Sequence, residues 1–314
     1  MLDWQQEAEL QASRFGLERM RGAMEALSEA YRAQKTTLAP RIDEELLVAT
    51  YLAVRFPATR AAARAAAMAV AERIGNFAPT SLLDLGAGCG AAALALGEVW
   101  PTIETVSAVE QIVGMVELGK RMQPNAIWRT TRLEDQREFA GHDVVVISYA
   151  LAEARGDSAL VEKAWKAADK LLLIVEAGTP KGFEVVHEAR EKLIGLGATI
   201  AAPCPSNAAC PARGEDWCHF AARLNRSALH RRLKGGTLSY EDEKFAYVAA
   251  WRGELAPGHP RVIRHPLVEP GRITMELCEA PVRRKIVATK KSKPEFRRAR
   301  KIRWGDALSP IVED

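Results

Sequence analysis

No apolar run in this sequence approaches the ~20 residues needed to cross a bilayer. The opening Met1-Leu2-Asp3-Trp4 has neither the basic-then-apolar order of a secretory signal nor an Arg- and Ser-rich transit character. Both absences set the expectation of a cytoplasmic protein with no membrane partner and, in a reducing compartment, no structural disulfides. Cysteine is scarce, five in 314 residues, and none forms the tight C-x2–4-C pair usual for zinc. The dinucleotide pattern G-x-G-x-x-G is missing, as are an Asn/Asp-Pro-Pro-aromatic string, a visible Ser/His/Asp constellation and any internal repeat. No catalytic residue is therefore assigned. Hydrophobic residues make up 48%, so a sizeable core is expected, and the length suits one large domain with additions or two domains.

The few cysteines are crowded. Cys204, Cys210 and Cys218 fall within fifteen positions and Cys278 follows at a distance, a C-x5-C-x7-C-x59-C spacing. Pro205 and Pro211 stiffen the chain directly after two of them. Thiolates converging from a loop and a distant strand can close a four-ligand site for a soft metal centre. The wide spacing leans toward an iron–sulfur cluster. The alternative is zinc, held by cysteines alone or by three of them with His219, although Cys218 and His219 are awkwardly adjacent.

From Thr80 to Ile200 apolar strands alternate with helical stretches, the pattern of a parallel, doubly wound α/β sheet with ligands at the carboxyl ends of its strands. Strand 82–85 runs into Asp84-Leu85-Gly86-Ala87-Gly88-Cys89-Gly90, and a helix follows from Ala91. Gly86, Gly88 and Gly90 permit a tight turn and close ligand approach at a helix N-terminus. Glu110 ends the next strand, placed to bind ribose hydroxyls. Leading Asp84 and this glycine spacing resemble the S-adenosylmethionine loop of class I methyltransferases. In such enzymes an acid often lies near the adenine, where this chain has Glu134 and Asp135.

Three helices are expected before the sheet, over residues 3–34, 42–55 and 57–75, with Pro40 as a break and Pro57 in the first turn of the third. After the cysteine loop, strands are expected over 244–252, 261–265, 272–277 and 282–289. Net charge is only +4, but Pro281–Trp304 holds eleven Lys and Arg against one Glu, a net +10 that leaves the rest at −6. A basic tail on an acidic body fits a polyanion partner. Candidate phosphate contacts are Arg213, Arg223, Arg226, Arg231, Arg232 and Lys234 around the cysteine loop, with His219 and His230 beside them. In the tail they are Lys290, Lys291, Lys293, Arg297, Arg298, Arg300 and Arg303. Trp217 and Trp304 are candidate base-stacking platforms.

The string Cys204 to Phe245 resembles the methyltransferase-like small-ribosomal-subunit assembly factors of bacteria and mitochondria. Within it lie Asp216-Trp217-Cys218-His219-Phe220, Arg226, His230-Arg231, Lys234 and Glu241-Asp242-Glu243-Lys244-Phe245. Tyr51-Leu52, Pro57-Ala58-Thr59, the glycine loop, Glu176-Ala177-Gly178-Thr179-Pro180 and Trp304-Gly305-Asp306 extend the likeness along most of the chain. Ser206, where histidine is expected, and Cys89, where proline is common, depart from it. The resemblance implies a class I methyltransferase fold and S-adenosylmethionine binding. It also implies a 4Fe-4S cluster on four cysteines, as in the mitochondrial branch, and the small subunit and its rRNA as partners. An active rRNA methyltransferase is the alternative. The division that follows is an N-terminal helical region (1–76) and a Rossmann-like domain (77–252) with a cysteine-rich insertion at 203–234. A small β unit (253–292) supplies Cys278, and a basic C-terminal tail (293–314) ends the chain.

Overall fold

The computed structural model describes residues 2–33, 42–154, 156–212 and 216–309. Pro40 and Arg213, both singled out above, lie outside the described residues. Helix α1 (Trp4–Phe15) starts on Asp3, whose carboxylate accepts from Gln5 N, and stops at Gly16 with φ +80°. Helices α2 (Leu17–Ala33) and α3 (Glu44–Ile74) follow. Pro57 does not begin a third helix as expected. It lies buried inside α3, which runs unbroken through it. The missing N–H is offset by packing. Ala62, Ala63, Ala66 and Ala67 are fully buried, and they join Ala92, Ala93 and Ala95 of helix α4 (Ala91–Val99) in one core. Side chains this small let helices approach closely, and dispersion contacts accumulate.

The main sheet contains β1 (Ser81–Leu85), β2 (Thr105–Glu110), β3 (Ile127–Thr130), β4 (His142–Ser148), β5 (Ala168–Ala177), β6 (Thr199–Ala202), β7 (Phe220–Asn225) and β8 (Tyr240–Trp251). Its order is β3-β2-β1-β4-β5-β8-β6. The first five strands are parallel, and β8 is antiparallel to both β5 and β6. That order, with one reversed strand next to the edge, is the class I methyltransferase arrangement, so the expected fold is the observed one. Period-two alternation sorts β4 and β5 into two cores. Val144, Val146, Leu171 and Leu173 face α3 and α4. Val145, Ile147, Leu172 and Ile174 face α6 (Ser158–Ala167) and α7 (Pro180–Gly195). Helix α5 (Val113–Met122) packs with the N-terminal helices. Among the described residues no helix is long and apolar enough to cross a membrane.

Beyond β8 a second, antiparallel sheet forms from β9 (Arg261–Val262), β10 (Leu267–Glu269), β11 (Arg272–Cys278) and β12 (Arg283–Thr289). Residues expected to form a tail start instead with helix α9 (Lys293–Ala299). Its Phe296 and Ala299, with Ile302, pack on Val262, Ile273, Met275 and Leu277. Aromatic and aliphatic residues at 296, 299 and 302 recur at helical spacing among the cations, and that apolar stripe holds the segment down.

At the end of β5, Glu176 is 2% exposed and accepts from Leu151 N (2.9 Å) and Ala152 N (3.1 Å), joining the β4 and β5 ends. Burial pushes its pKa up to about 8 from an ordinary 4.5. Stability from the protonated folded form is thus complete below pH 4.5 and is lost as pH rises toward 8. Glu176→Gln keeps the acceptor oxygen and cannot ionise. Thermal melts from pH 5 to 8 should show the wild type losing stability while the variant loses less, with a gap of a few kcal/mol at pH 8. Parallel curves would show that Glu176 does not carry this dependence.

Candidate functional site

The glycine loop leaves β1 and enters α4 through Gly86, Gly88 and Gly90, at φ +75°, +55° and +89°. Gly86 N and Ala87 N both donate to Val109 O at the end of β2. A Cβ at Gly86 would stand 2.4 Å from Ala150 Cβ, whereas one at Gly88 would meet only the Tyr51 hydroxyl end at 3.1 Å. Glu110 is drawn against the loop. Its Oε2 accepts from Gly88 N (2.9 Å), and its Oε1 accepts from Gln111 N and Ile112 N. Oε2, with one donor, retains a second acceptor direction. Asp84 is fully buried, and its Oδ2 accepts from Ala93 N (3.1 Å) under the first turn of α4. Its Oδ1 is buried without a partner. Burial, with the Glu110 charge nearby, pushes its pKa up to about 7 despite the Ala93 hydrogen bond. Glu134 and Asp135 are exposed, Glu134 lies 3.6 Å from Arg132, and the adjoining Leu133 turns toward Gly86.

The carboxyl end of β4 holds a feature that sequence reasoning missed. Tyr149 has φ +58° and is the one non-glycine residue with positive φ among the described residues. This conformation costs about 1–3 kcal/mol and persists only where surroundings enforce it. The Tyr149 hydroxyl donates to Glu243 Oε1 (2.9 Å), and Arg55 Nη2 reaches the same oxygen at 3.3 Å. The Arg55 guanidinium also lies 5.1 Å from the Tyr149 ring centre. Helix α3, the residue after β4, and β8 therefore meet in one polar network beside the loop.

Cys204, Cys210, Cys218 and Cys278 line a single cavity with Phe183, Val186 and Arg190 of α7. Cys204 follows β6, Cys218 precedes β7 and Cys278 ends β11, so the cavity joins the main sheet to the small one. Burial pushes the Cys204 thiol up to about 11. Nearby Cys210 and Cys278 push the same way, against the pull of Arg190. Burial and then the other three cysteines hold Cys218 well above the ordinary thiol range. The four thiols thus share one cavity and act on one another electrostatically. They surround a space rather than a point: among the described residues no three His, Cys, Asp or Glu groups are close enough to hold one metal ion. Cys89 lies elsewhere, fully buried in the core of α3 and α5. His219 is stacked on Trp217 (5.3 Å between centres) and meets Trp304 edge-on (4.9 Å). Trp217 Nε1 also donates to Gly178 O, so both tryptophans pack within the protein.

Several candidate phosphate contacts are engaged internally. Arg223 forms two bonds to Asp242 and lies over Tyr240. Arg226 and Lys234 both bind Glu241, with His230 beside them. This holds the Glu241 pKa far below the carboxylate range, although burial opposes it. Arg231 donates to Arg226 O, and Arg232 lies 3.4 Å from Glu9. Arg298 is half-buried and donates to Ser309 O. Lys290, Lys291, Lys293, Arg297, Arg300 and Arg303 are exposed around α9.

Sheet order and glycine loop define a protein of the class I methyltransferase fold. The chain belongs to the family described as mitochondrial small ribosomal subunit Rsm22, which matches residues 45–309. It is similar to the human mitochondrial ribosome assembly protein METTL17, 24% identical over 298 residues, 85% of this chain and 63% of that one. Another relative is Rsm22-cox11 tandem protein 1, mitochondrial, of Schizosaccharomyces pombe, 27% identical over 296 residues, 73% of this chain and 38% of that one. The chain thus spans under two thirds of these relatives. Among solved structures, magnesium protoporphyrin IX methyltransferase from Synechocystis PCC 6803 with bound SAM covers 81% of this chain and 99% of its own at 15% identity and TM-score 0.41. The expectation of a cytoplasmic protein is overturned, because the family and both relatives are mitochondrial.

Proposed function

We propose that this chain is a mitochondrial assembly factor of the small ribosomal subunit that binds S-adenosylmethionine, a 4Fe-4S cluster and small-subunit rRNA, and that it works as a scaffold and transfers no methyl group. The observation that carries scaffold over enzyme is the Tyr149–Glu243–Arg55 network. It lies at the end of β4, where an amino-directed methyltransferase presents acceptor-binding residues. Tyr149, Glu243 and Arg55 engage one another there, which supports the scaffold reading.

Gly88 leaves room beside the backbone that a side chain would fill, and Glu110 Oε2 offers an acceptor there. These residues fit S-adenosylmethionine, with Glu110 toward the ribose. Four thiols around one cavity fit a thiolate-bound cluster, held by Cys204, Cys210, Cys218 and Cys278. When bound, the cluster supplies a crosslink among β6, β7 and β11. The rRNA face is the exposed basic surface of α9 and the turn before it. Those cations are held by a packed helix rather than by a loose tail.

Charge neutralisation tests the rRNA face without unfolding α9. Changing Lys290, Lys291, Lys293, Arg297 and Arg300 together to Gln should weaken binding to small-subunit rRNA. The log–log salt slope should flatten by about 0.7–0.9 for each phosphate that the protein no longer neutralises. Unchanged affinity and slope across salt concentrations would remove this face from the interface. The second reading, an active rRNA methyltransferase, is favoured by the complete glycine loop and predicts one methyl mark that depends on it.

A further inference from the structure

Arg190, Arg261, Arg264 and Arg283 are among the residues that line the four-thiol cavity, and among the described residues no Asp or Glu lines it. Three of them meet carboxylates. Arg264 and Arg283 share Asp216, Arg283 also binds Glu276, and Arg190 pairs with Glu191 at its outer end. Arg261 is 4% exposed, and its hydrogen bonds run to the carbonyls of Pro203 and Gly305. No carboxylate among the described residues lies within ion-pairing distance of it. Arg190 is 3% exposed. Its Nη2 clamps the carbonyls of Ser206 (3.2 Å) and Ala208 (2.7 Å), in the loop between Cys204 and Cys210. Its Nη1 reaches Glu191, an exposed residue. Its Nε is buried with no hydrogen-bond partner, and Cys204 lines the same cavity.

A buried cation needs a counter-charge, and a buried N–H needs an acceptor. Neutral thiols supply neither. Four thiolates around an oxidised cubane core supply both, because that ensemble is a dianion whose sulfurs accept hydrogen bonds. We infer that Arg190 is a positioning residue of the four-cysteine centre: it fixes the Cys204–Cys210 loop by its carbonyl clamp, offers its unpartnered Nε–H to the sulfurs of the occupant and, with Arg261, adds positive charge beside it. The inference rests on the cluster reading above and adds this chain's own second layer to it. Positive charge and N–H···S bonds favour the reduced, more negative state of such a centre and shield its sulfurs.

The test uses the full chain, loaded anaerobically with iron and sulfide, in wild-type form and as Arg190→Gln, Arg190→Lys and, for control, Arg223→Gln. Iron per chain, the rate of bleaching in air and the fraction reduced at one fixed potential are measured. Arg190→Gln should still take up iron, bleach roughly tenfold faster and show a lower reduced fraction. Arg190→Lys, which keeps the charge and loses the fork, should recover the reduced fraction but still bleach faster than wild type. Arg223→Gln should match wild type. Wild-type bleaching and reduction in Arg190→Gln overturn the inference while leaving the cluster reading intact, as does equal acceleration in Arg223→Gln. If Arg190→Gln does not fold, Arg190→Lys decides: faster bleaching supports the inference, and wild-type values in both readouts overturn it. Zinc in place of iron in the wild-type chain sinks the cluster reading itself, and this inference with it.

Discussion

Replacing any one of Cys204, Cys210, Cys218 or Cys278 by Ser should reduce bound iron roughly tenfold or more, whereas Cys89→Ser should leave it unchanged. The first four thiols line one cavity, and Cys89 lies in the core formed by α3 and α5. Serine is nearly the same size but is a poor ligand for a soft metal. Loss of one ligand should also loosen the small sheet. Cys278 ends β11, and apart from the cavity that corner is held by Asp216 with Arg264 and Arg283 and by Arg261 with Pro203 and Gly305. Metal binding then contributes directly to folding stability. Purified anaerobically, the wild type should be brown, with broad absorbance near ~400 nm from thiolate-bound iron and sulfide. Iron and zinc analysis of all six proteins decides the outcome. Stoichiometric zinc without iron in the wild type, or metal loss in Cys89→Ser, would show that the ligand set is wrong.

Local patterns carried much of this architecture. Asp84 to Gly90 sits between a strand and a helix because glycine spacing and apolar periodicity report local backbone needs, and both were readable in the sequence. Clustering of Cys204, Cys210 and Cys218 was equally plain, and Cys278 joins their cavity from β11. What stayed hidden depends on pairing across the fold. Pro57 reads as a helix start, yet the packing of α3 on α4 carries the helix through it. The cations at 226 and 234 read as phosphate contacts because composition does not reveal that Glu241 lies between them. Residues 293–299 read as part of a tail because their charge masks the three apolar positions that seat α9. Tyr149, Arg55 and Glu243 come from three distant segments, and no local pattern links them. Glu176 and Glu243 stood in strings already noted for their family likeness, which was the one available hint that each has a task. Arg190 had no such mark: beyond the adjacent Glu191 its partners are the carbonyls of Ser206 and Ala208, and backbone carbonyls leave no spacing in the sequence.

Gly88→Val should lower affinity for S-adenosylmethionine or its demethylated product on the order of 100-fold while leaving the protein folded. Among the loop glycines it is the informative choice. A Cβ at Gly86 would stand 2.4 Å from Ala150 Cβ and one at Gly90 1.9 Å from Gln123 Nε2, so those substitutions disturb the protein itself. At Gly88 the nearest atom is the far end of Tyr51 at 3.1 Å, which can yield. The φ of +55° still makes a β-branched residue strained by about 1–3 kcal/mol, so a lowered melting temperature is expected alongside weaker binding. A valine here stands where the ligand must approach the backbone, and it tilts the Gly88 N–H away from Glu110, the acceptor placed for the ribose. Glu110→Gln should weaken binding less, since one acceptor oxygen survives. Calorimetry on the three proteins measures these differences, and no binding by the wild type would leave the loop a bare structural turn. In cells the same Gly88 variant separates scaffold from enzyme. On the scaffold proposal, small subunits should mature wherever the variant folds, and the rRNA methylation map should be unchanged. Loss of one methyl group, with the variant folded and still bound to rRNA, would show that the protein is a methyltransferase.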